Sequence, residues 1–146
     1  MMPFFSIIVA ALNAEATIEN TIRSILVQTF RDVEIIVKDG QSIDRTVSCI
    51  PVDSRIKVIV QKDRNLYDGM NQGIENAQGR YCCFLNCGDT FFDDKVLEKV
   101  YCFLVSNPDT GIAYGNYVTR GRFVQTPSKT TRYSIYRNPL CHQTMF

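Results

Sequence analysis

The chain has 146 residues, 45% hydrophobic and 21% charged, with a formal net charge of +1. That length suits one domain with a real core, and the near-neutral balance gives no electrostatic footprint for nucleic acid. No apolar run approaches the roughly 20 residues of a membrane span, "MMPFFSIIVAAL" lacks the basic n-region of a secretory signal, and a lone histidine, His142, argues against a zinc site.

"FFSIIVAAL" is an Ile- and Val-rich run of the kind that forms a strand buried on both faces. Asn13 breaks it. Ile18, Ile22, Ile25 and Leu26 then recur at helical spacing, with Thr17 or Asn13 as cap and Glu15 and Glu19 at the positive end. "VEIIVKDG" predicts a second buried strand closing on Asp39 and Gly40, and "SIDRTVSCI" a short helix with Ser42 as N-cap. "RIKVIVQKD" predicts a third strand. Met70, Ile74 and Ala77 predict a helix, with Gly79 as its C-cap. "RYCCFLNCGD" predicts a fourth strand. Val96, Val100, Phe103 and Leu104 mark a further helix ending near Pro108, and "GIAYGNYV" and "RFVQTP" two more strands. Alternating strands and helices give an α/β fold with a mainly parallel sheet, in which ligands bind outside the carboxyl ends of the strands.

The charges are unevenly placed. No acid follows Asp109, while Arg120, Arg122, Lys129, Arg132 and Arg137 do. This stretch reads either as solvated surface or as a surface for a phosphate-bearing partner. The six cysteines show no CxxC spacing, and Cys82 and Cys83 face opposite sides of a strand. They are expected to be thiols in a cytoplasmic chain.

Polar residues gather where strands end: Asn13, Asp39, Asn86 and Asp89. Asp39 is placed to accept a hydrogen bond from a base N–H, and as a strand-end residue beside Gly40 it is expected to carry little packing. An ionised carboxylate such as Asp89 only accepts, so it reaches a diphosphate through Mg²⁺ or Mn²⁺; the alternative is a turn-capping aspartate. There is no GxGxxG after the first strand, no GxxxxGK[ST] and no GxSxG, which disfavours Rossmann, P-loop and α/β-hydrolase sites.

"FSIIVAALNAEATIENTIRSILVQTFRDVEIIVKDGQSIDRT" and "DRNLYDGMNQGIENAQGRYCCFLNCGDTF" together resemble the N-terminal, nucleotide-binding part of family 2 glycosyltransferases, which have the GT-A fold. The resemblance covers nearly the whole chain, 1–146 as a single donor-binding domain. It implies a nucleotide-diphosphate sugar donor, typically of UDP, surrounded by Ala11, Asn13 and Glu15, with Asp39 at the base. Asp68, Asn71 and Asn86, with Gly73 behind them, would face the nucleotide sugar. "NCGD" stands where the family has a DxD-type motif, so Asp89 is the implied ligand of Mn²⁺ or Mg²⁺. His142 falls in a region near the acceptor and metal. The implied acceptor is a saccharide or a lipid-linked glycan in polysaccharide biosynthesis, with inversion at the anomeric carbon, and the basic segment implies peripheral contact with the cytoplasmic face of a membrane. Family members usually continue beyond the "HQ" segment into an acceptor-binding part that carries the catalytic base, expected to be absent here. The rival reading is a non-catalytic nucleotide-sugar-binding module.

Overall fold

Strand β1 (Phe5–Ala11) is buried at all seven positions, and the rest of the chain is arranged around it. The computed structural model describes residues 2–126 and 144–146. Helix α1 (Ile18–Leu26) follows, then β2 (Val33–Asp39), a single 3-10 turn (Val47–Cys49), β3 (Ile56–Val60), α2 (Leu66–Ile74), β4 (Tyr81–Phe84) and α3 (Val96–Ser106). The four strands form one parallel sheet in the order β3-β2-β1-β4. Two short strands, β5 (Tyr117–Thr119) and β6 (Arg122–Val124), make a separate antiparallel hairpin. Its two-residue loop, Arg120–Gly121, has positive φ at both positions (48° and 71°), the signature of a type I′ turn.

The two faces of the sheet follow the period of two. Phe5, Ile7, Val9 and Ala11 of β1, with Ile35 and Val37 of β2 and Cys83 of β4, share one core with Ile18, Ile22 and Ile25 of α1 and Leu97 and Leu104 of α3. Ile8 points the other way, onto α2. A Cβ built on Gly73 would stand 2.4 Å from Ile8 Cγ2, so Gly73 lets α2 lie directly on the sheet. Phe146 closes the first core. It exchanges backbone hydrogen bonds with Ala113, at 2.9 and 2.8 Å, and its ring lies 5.5 Å from that of Phe5.

Gln28 explains why a glutamine follows an apolar helix. It is 1% exposed. Its amide donates to the carbonyls of Ser24 and Asp93, and its Oε1 accepts from the Leu97 N–H. One buried side chain thus ties the end of α1 to the start of α3, with every donor satisfied.

The sequence expectations need correction at four places. Residues 43–46 follow an irregular path of bends and a turn, and only Val47–Cys49 form a helical turn, because Ser42, Asp44 and Thr46 bond to another loop instead of starting a longer helix. Gly79 is not a C-cap, since α2 ends at Ile74. It is a close-approach glycine whose Cβ would meet Ser6 N at 2.6 Å. Thr17 holds the N-cap position of α1 but makes no side-chain cap. In the segment 111–118 only Tyr117 and Val118 join a strand, with an isolated bridge from Tyr114 to Met145.

Candidate functional site

The sheet order reverses at β1. From β1 the chain moves outward through β2 to β3, then crosses to β4 on the other side. The two crossovers leave a crevice outside the carboxyl ends of β1 and β4, the topological switch point where open parallel sheets bind ligands. The loop after β1 forms one lip, and the turn after β4 forms the other.

The first lip is built by two loops zipped together. Ala11 pairs with Asp39 in register, and its carbonyl accepts from Gly40 N at 2.9 Å. Asn13 then takes φ 49°, a left-handed conformation that asparagine tolerates better than most residues. This turns three consecutive N–H groups toward the loop after β2. Asn13 N donates to Ser42 Oγ (2.8 Å), Ala14 N to Thr46 Oγ1 (2.6 Å) and Glu15 N to Asp44 Oδ2 (3.1 Å). The side chains answer in the other direction. Asn13 Oδ1 accepts from Ile43 N at 3.0 Å, and Glu15 Oε2 accepts from Arg45 N at 3.0 Å and Nε at 3.3 Å. Ser42, Asp44 and Thr46 stand at alternate positions of a bent segment and each meets one of the three N–H groups, which is what the spacing "SxDxT" supplies here. Thr46 Oγ1 in turn bonds Asp44 Oδ1, and that bond is the main cause holding the Asp44 carboxyl below its usual range.

Asp39 is the buried end of this network. Its residue has no solvent exposure. Oδ2 accepts from Ser42 N at 2.8 Å and Oδ1 from the Ser42 hydroxyl at 2.5 Å. The expectation of a lightly packed carboxylate is therefore corrected: Asp39 organises the loop that meets Asn13 and Glu15.

The second lip is the turn Asn86–Asp89. Asp89 N donates to Asn86 O at 3.0 Å, and Gly88 sits at φ 97°. Positive φ at the third position is the demand of a type II turn, met by glycine. A Cβ on Gly88 would touch nothing within 4 Å, so conformation alone requires the glycine. Helix α1 holds the turn from behind: the buried Thr21 hydroxyl accepts from Gly88 N at 3.0 Å, and Ser24 Oγ from Phe91 N at 3.3 Å. Cys87 stands inside this turn and is partly buried. Burial first, then the nearby carboxylates of Asp39 and Asp89, push its thiol up to about 12.

Asp68 and Asn71 lie on α2. Asn65 caps this helix by accepting from Asp68 N at 3.0 Å. The Asp68 carboxylate accepts from Arg64 N (2.9 Å) and Arg64 Nη2 (2.7 Å), and this pairing holds it down at about 2. Asn71 is exposed, and no hydrogen bond among the described residues joins its side chain to either lip. Gly73, expected in the helix behind Asp68 and Asn71, lies in α2 and packs on Ile8. Residues 127–143, with His142, Lys129, Arg132 and Arg137, lie outside the described residues. The structure thus brings together Ala11, Asn13, Glu15, Asp39 and the Asn86–Asp89 turn. Sequence reasoning missed the zipping roles of Ser42, Asp44 and Thr46 and a buried Lys38–Asp63 pair beneath Gly40.

A cavity of about 980 Å³ opens beside the second lip. Phe91, Val96, Val100, Tyr114 and Tyr117 line it, and of the described candidate residues only Asp89 does. Asp89 therefore borders both the crevice and the cavity. Among the described residues no group of three His, Cys, Asp or Glu side chains is placed to hold a metal ion. Asp89 fits a divalent cation only if a ligand supplies most of the oxygens.

The sequence profile of the glycosyl transferase family 2 matches residues 6–145. The chain is 28% identical over 150 residues to a PGL/p-HBAD biosynthesis glycosyltransferase of Mycobacterium bovis, covering 99% of this chain and 59% of that protein. It is 30% identical over 128 residues to the Escherichia coli UDP-Glc:alpha-D-GlcNAc-diphosphoundecaprenol beta-1,3-glucosyltransferase WfaP, covering 86% of this chain and 50% of that one. The chain thus spans between half and two thirds of these relatives' lengths. Among solved structures, Staphylococcus aureus TarS 1-349 in complex with UDP-GlcNAc superposes with a TM-score of 0.71 at 20% identity, over 84% of this chain and 37% of that 1-349 chain. The Pyrobaculum calidifontis mannosyltransferase PcManGT, in complex with GDP-Man and Mn²⁺, superposes with a TM-score of 0.68 at 19% identity, over 82% of this chain and 36% of its own. These likenesses show the GT-A fold. With the profile spanning nearly every residue, the conclusion is direct: the chain belongs to glycosyl transferase family 2.

Proposed function

We propose that this chain is the donor-binding portion of an inverting glycosyltransferase that takes its sugar from a nucleoside diphosphate, most simply UDP. The observation that carries the reading is the convergence of the Asn13–Glu15 loop, the Asp39 loop and the Asn86–Asp89 turn on one switch point. The similarity to WfaP, named for UDP-Glc, and to TarS, seen with UDP-GlcNAc, supports uridine as the base. Asp39 is the residue assigned to the base, and Asp89 the one assigned to a divalent cation. A Mn²⁺ or Mg²⁺ held by Asp89 and the donor's own diphosphate oxygens would supply neutralising charge for the departing diphosphate. The mannosyltransferase seen with GDP-Man and Mn²⁺ supports that assignment.

The cavity on the far side of Asp89 is the space we assign to the acceptor, a saccharide or lipid-linked glycan. Aromatic walls such as Phe91, Tyr114 and Tyr117 suit the apolar face of a sugar ring. The β5–β6 hairpin adds exposed Arg120 and Arg122 beside Phe123, which is 66% exposed. That combination suits an anionic membrane face. No helix among the described residues is long and apolar enough to cross a membrane. The five described cysteines are free, which favours a reducing, cytoplasmic setting.

A second reading, donor binding without transfer by this chain itself, rests on the carboxylates. Asp68 is paired with Arg64 and Asp93 with Lys99, both held below the ordinary range, so each is a weaker base than a free carboxylate. A thermal-shift panel of UDP-, GDP- and ADP-sugars, with and without Mn²⁺, tests the proposal. A ligand at 100 times its dissociation constant stabilises by about 2.7 kcal/mol. UDP-sugars are expected to stand out, and a flat panel overturns the reading.

A further inference from the structure

Lys38 lies in the middle of a parallel sheet with no solvent exposure. A buried ammonium is tolerated only when its donors are met, and here three acceptors meet them. Nζ donates to the carbonyl of Asp39 at 3.0 Å, to the carbonyl of Gln61 at 2.5 Å and to Asp63 Oδ2 at 2.9 Å. The Asp39 carbonyl also accepts from Gln61 N at 3.0 Å, so the same group is fixed twice. Asp63 is nearly buried, its side chain 15% exposed. Its Oδ2 is wedged between two glycines: a Cβ on Gly40 would stand 2.8 Å from it, and one on Gly69 3.0 Å. Gly40 follows Asp39, and Gly69 follows Asp68 in the first turn of α2.

We infer that Lys38 and Asp63 are positioning residues for nucleotide recognition: a buried brace that sets the Asp39 carboxyl against the base and fixes the start of α2 beside it. This rests on the donor-site reading above. A pair kept for stability alone is poorly explained, since well-packed apolar residues of similar volume commonly serve a core as well or better. The brace instead joins the three backbone points that border the crevice from beneath: Asp39, Gln61 and, through Asp63, Gly69. It acts through Asp39, whose side chain is clamped by Ser42 on one side while its carbonyl is clamped by Lys38 on the other.

The test is a calorimetric cycle with UDP and ADP on the wild type, K38M/D63N, D39A and the triple variant, each checked for a cooperative melt. K38M/D63N removes both charges while keeping side-chain length. It is expected to raise the UDP dissociation constant at least tenfold and to narrow the preference for UDP over ADP. In the D39A background the same change is expected to cost less than threefold, because the brace acts through Asp39. G69A provides a second route that touches no charge. The added methyl crowds Asp63 Oδ2, which a Cβ on Gly69 would meet at 3.0 Å, and shifts it slightly off Lys38, so UDP binding is expected to weaken about threefold although alanine favours the helix; this variant decides the matter if K38M/D63N does not fold. Folded brace variants that keep wild-type affinity and preference, or losses equal with and without Asp39, overturn the brace alone. A wild type that binds neither nucleotide overturns the donor-site reading and the brace with it.

Discussion

Ser42 holds both oxygens of Asp39, its N–H on Oδ2 at 2.8 Å and its hydroxyl on Oδ1 at 2.5 Å. Each carboxylate oxygen keeps a second lone pair, and because Asp39 has no solvent exposure, a base N–H reaches it only as the covering loop shifts. D39A is therefore expected to act twice. It strips the acceptor for the base, costing about 1.5–3 kcal/mol of UDP affinity, and it removes the partner of two half-buried Ser42 donors, costing about 1 kcal/mol of stability. Calorimetry and thermal melts separate the two losses. A variant with wild-type UDP affinity removes Asp39 from the nucleotide site.

The Asp89 carboxyl is the sole carboxylate in "NCGD". Mn²⁺ is expected to tighten UDP binding, and D89N to erase that increment while sparing most metal-free affinity. N86D is expected to enlarge the increment, with some repulsion between the two acids when no metal is present. The same metal dependence in D89N and wild type makes Asp89 a turn residue.

Asp68 supplies a pH signature. Arg64 lowers its carboxyl from the ordinary 3.8 to about 2. The folded value lies below the unfolded one, so this group's stabilisation is complete above 3.8 and is lost as pH falls toward 2. Carbon-detected NMR of the side chain is expected to give a midpoint near 2, rising toward 3.8 in R64A. A wild-type midpoint of 3.8 means the ion pair does not persist in solution.

Thiol titration of the denatured, unreduced protein is expected to count six groups. Cys49, Cys82, Cys83, Cys87 and Cys102 are free, and Cys141 lies outside the described residues. Burial pushes the thiols of Cys83 and Cys87 up, so both are slow to react until the chain unfolds. A count of four or fewer in reductant-protected material contradicts the reducing setting.

Purified by itself, the chain is expected to bind donor but transfer sugar poorly. The sequence holds no carboxylate after Asp109, and Asp68 and Asp93 are committed to Arg64 and Lys99. Product analysis with mixed saccharide acceptors checks this. Robust transfer means that one of these acids, or Asp94, is the base.

The parallel sheet and helix periods were legible because local patterns encode them. Ile and Val runs mark β1 and β2, and Ile18, Ile22 and Ile25 mark the buried stripe of α1. The crevice was legible as a set of strand ends. What stayed hidden depends on partners 23 to 73 residues away along the chain. Ser42 looks like a helix cap because caps and loop zips use the same donor and acceptor groups, and only the Asn13 partner distinguishes them. Gly79 looks like a C-cap because nothing local reveals that Ser6 lies against it. Lys38 hides in "VKDG", where the strand pattern places a lysine without saying that Gln61 and Asp63 enclose it.

The central claim is that a nucleoside diphosphate binds at the switch point between β1 and β4. Amide chemical-shift mapping during a UDP titration with Mn²⁺ tests it most directly. The account predicts saturable shifts concentrated at residues 11–15, 39–46 and 86–89, with smaller ones at 63–69. An unchanged spectrum, or shifts confined to the hairpin around Arg120 and Arg122, contradicts it.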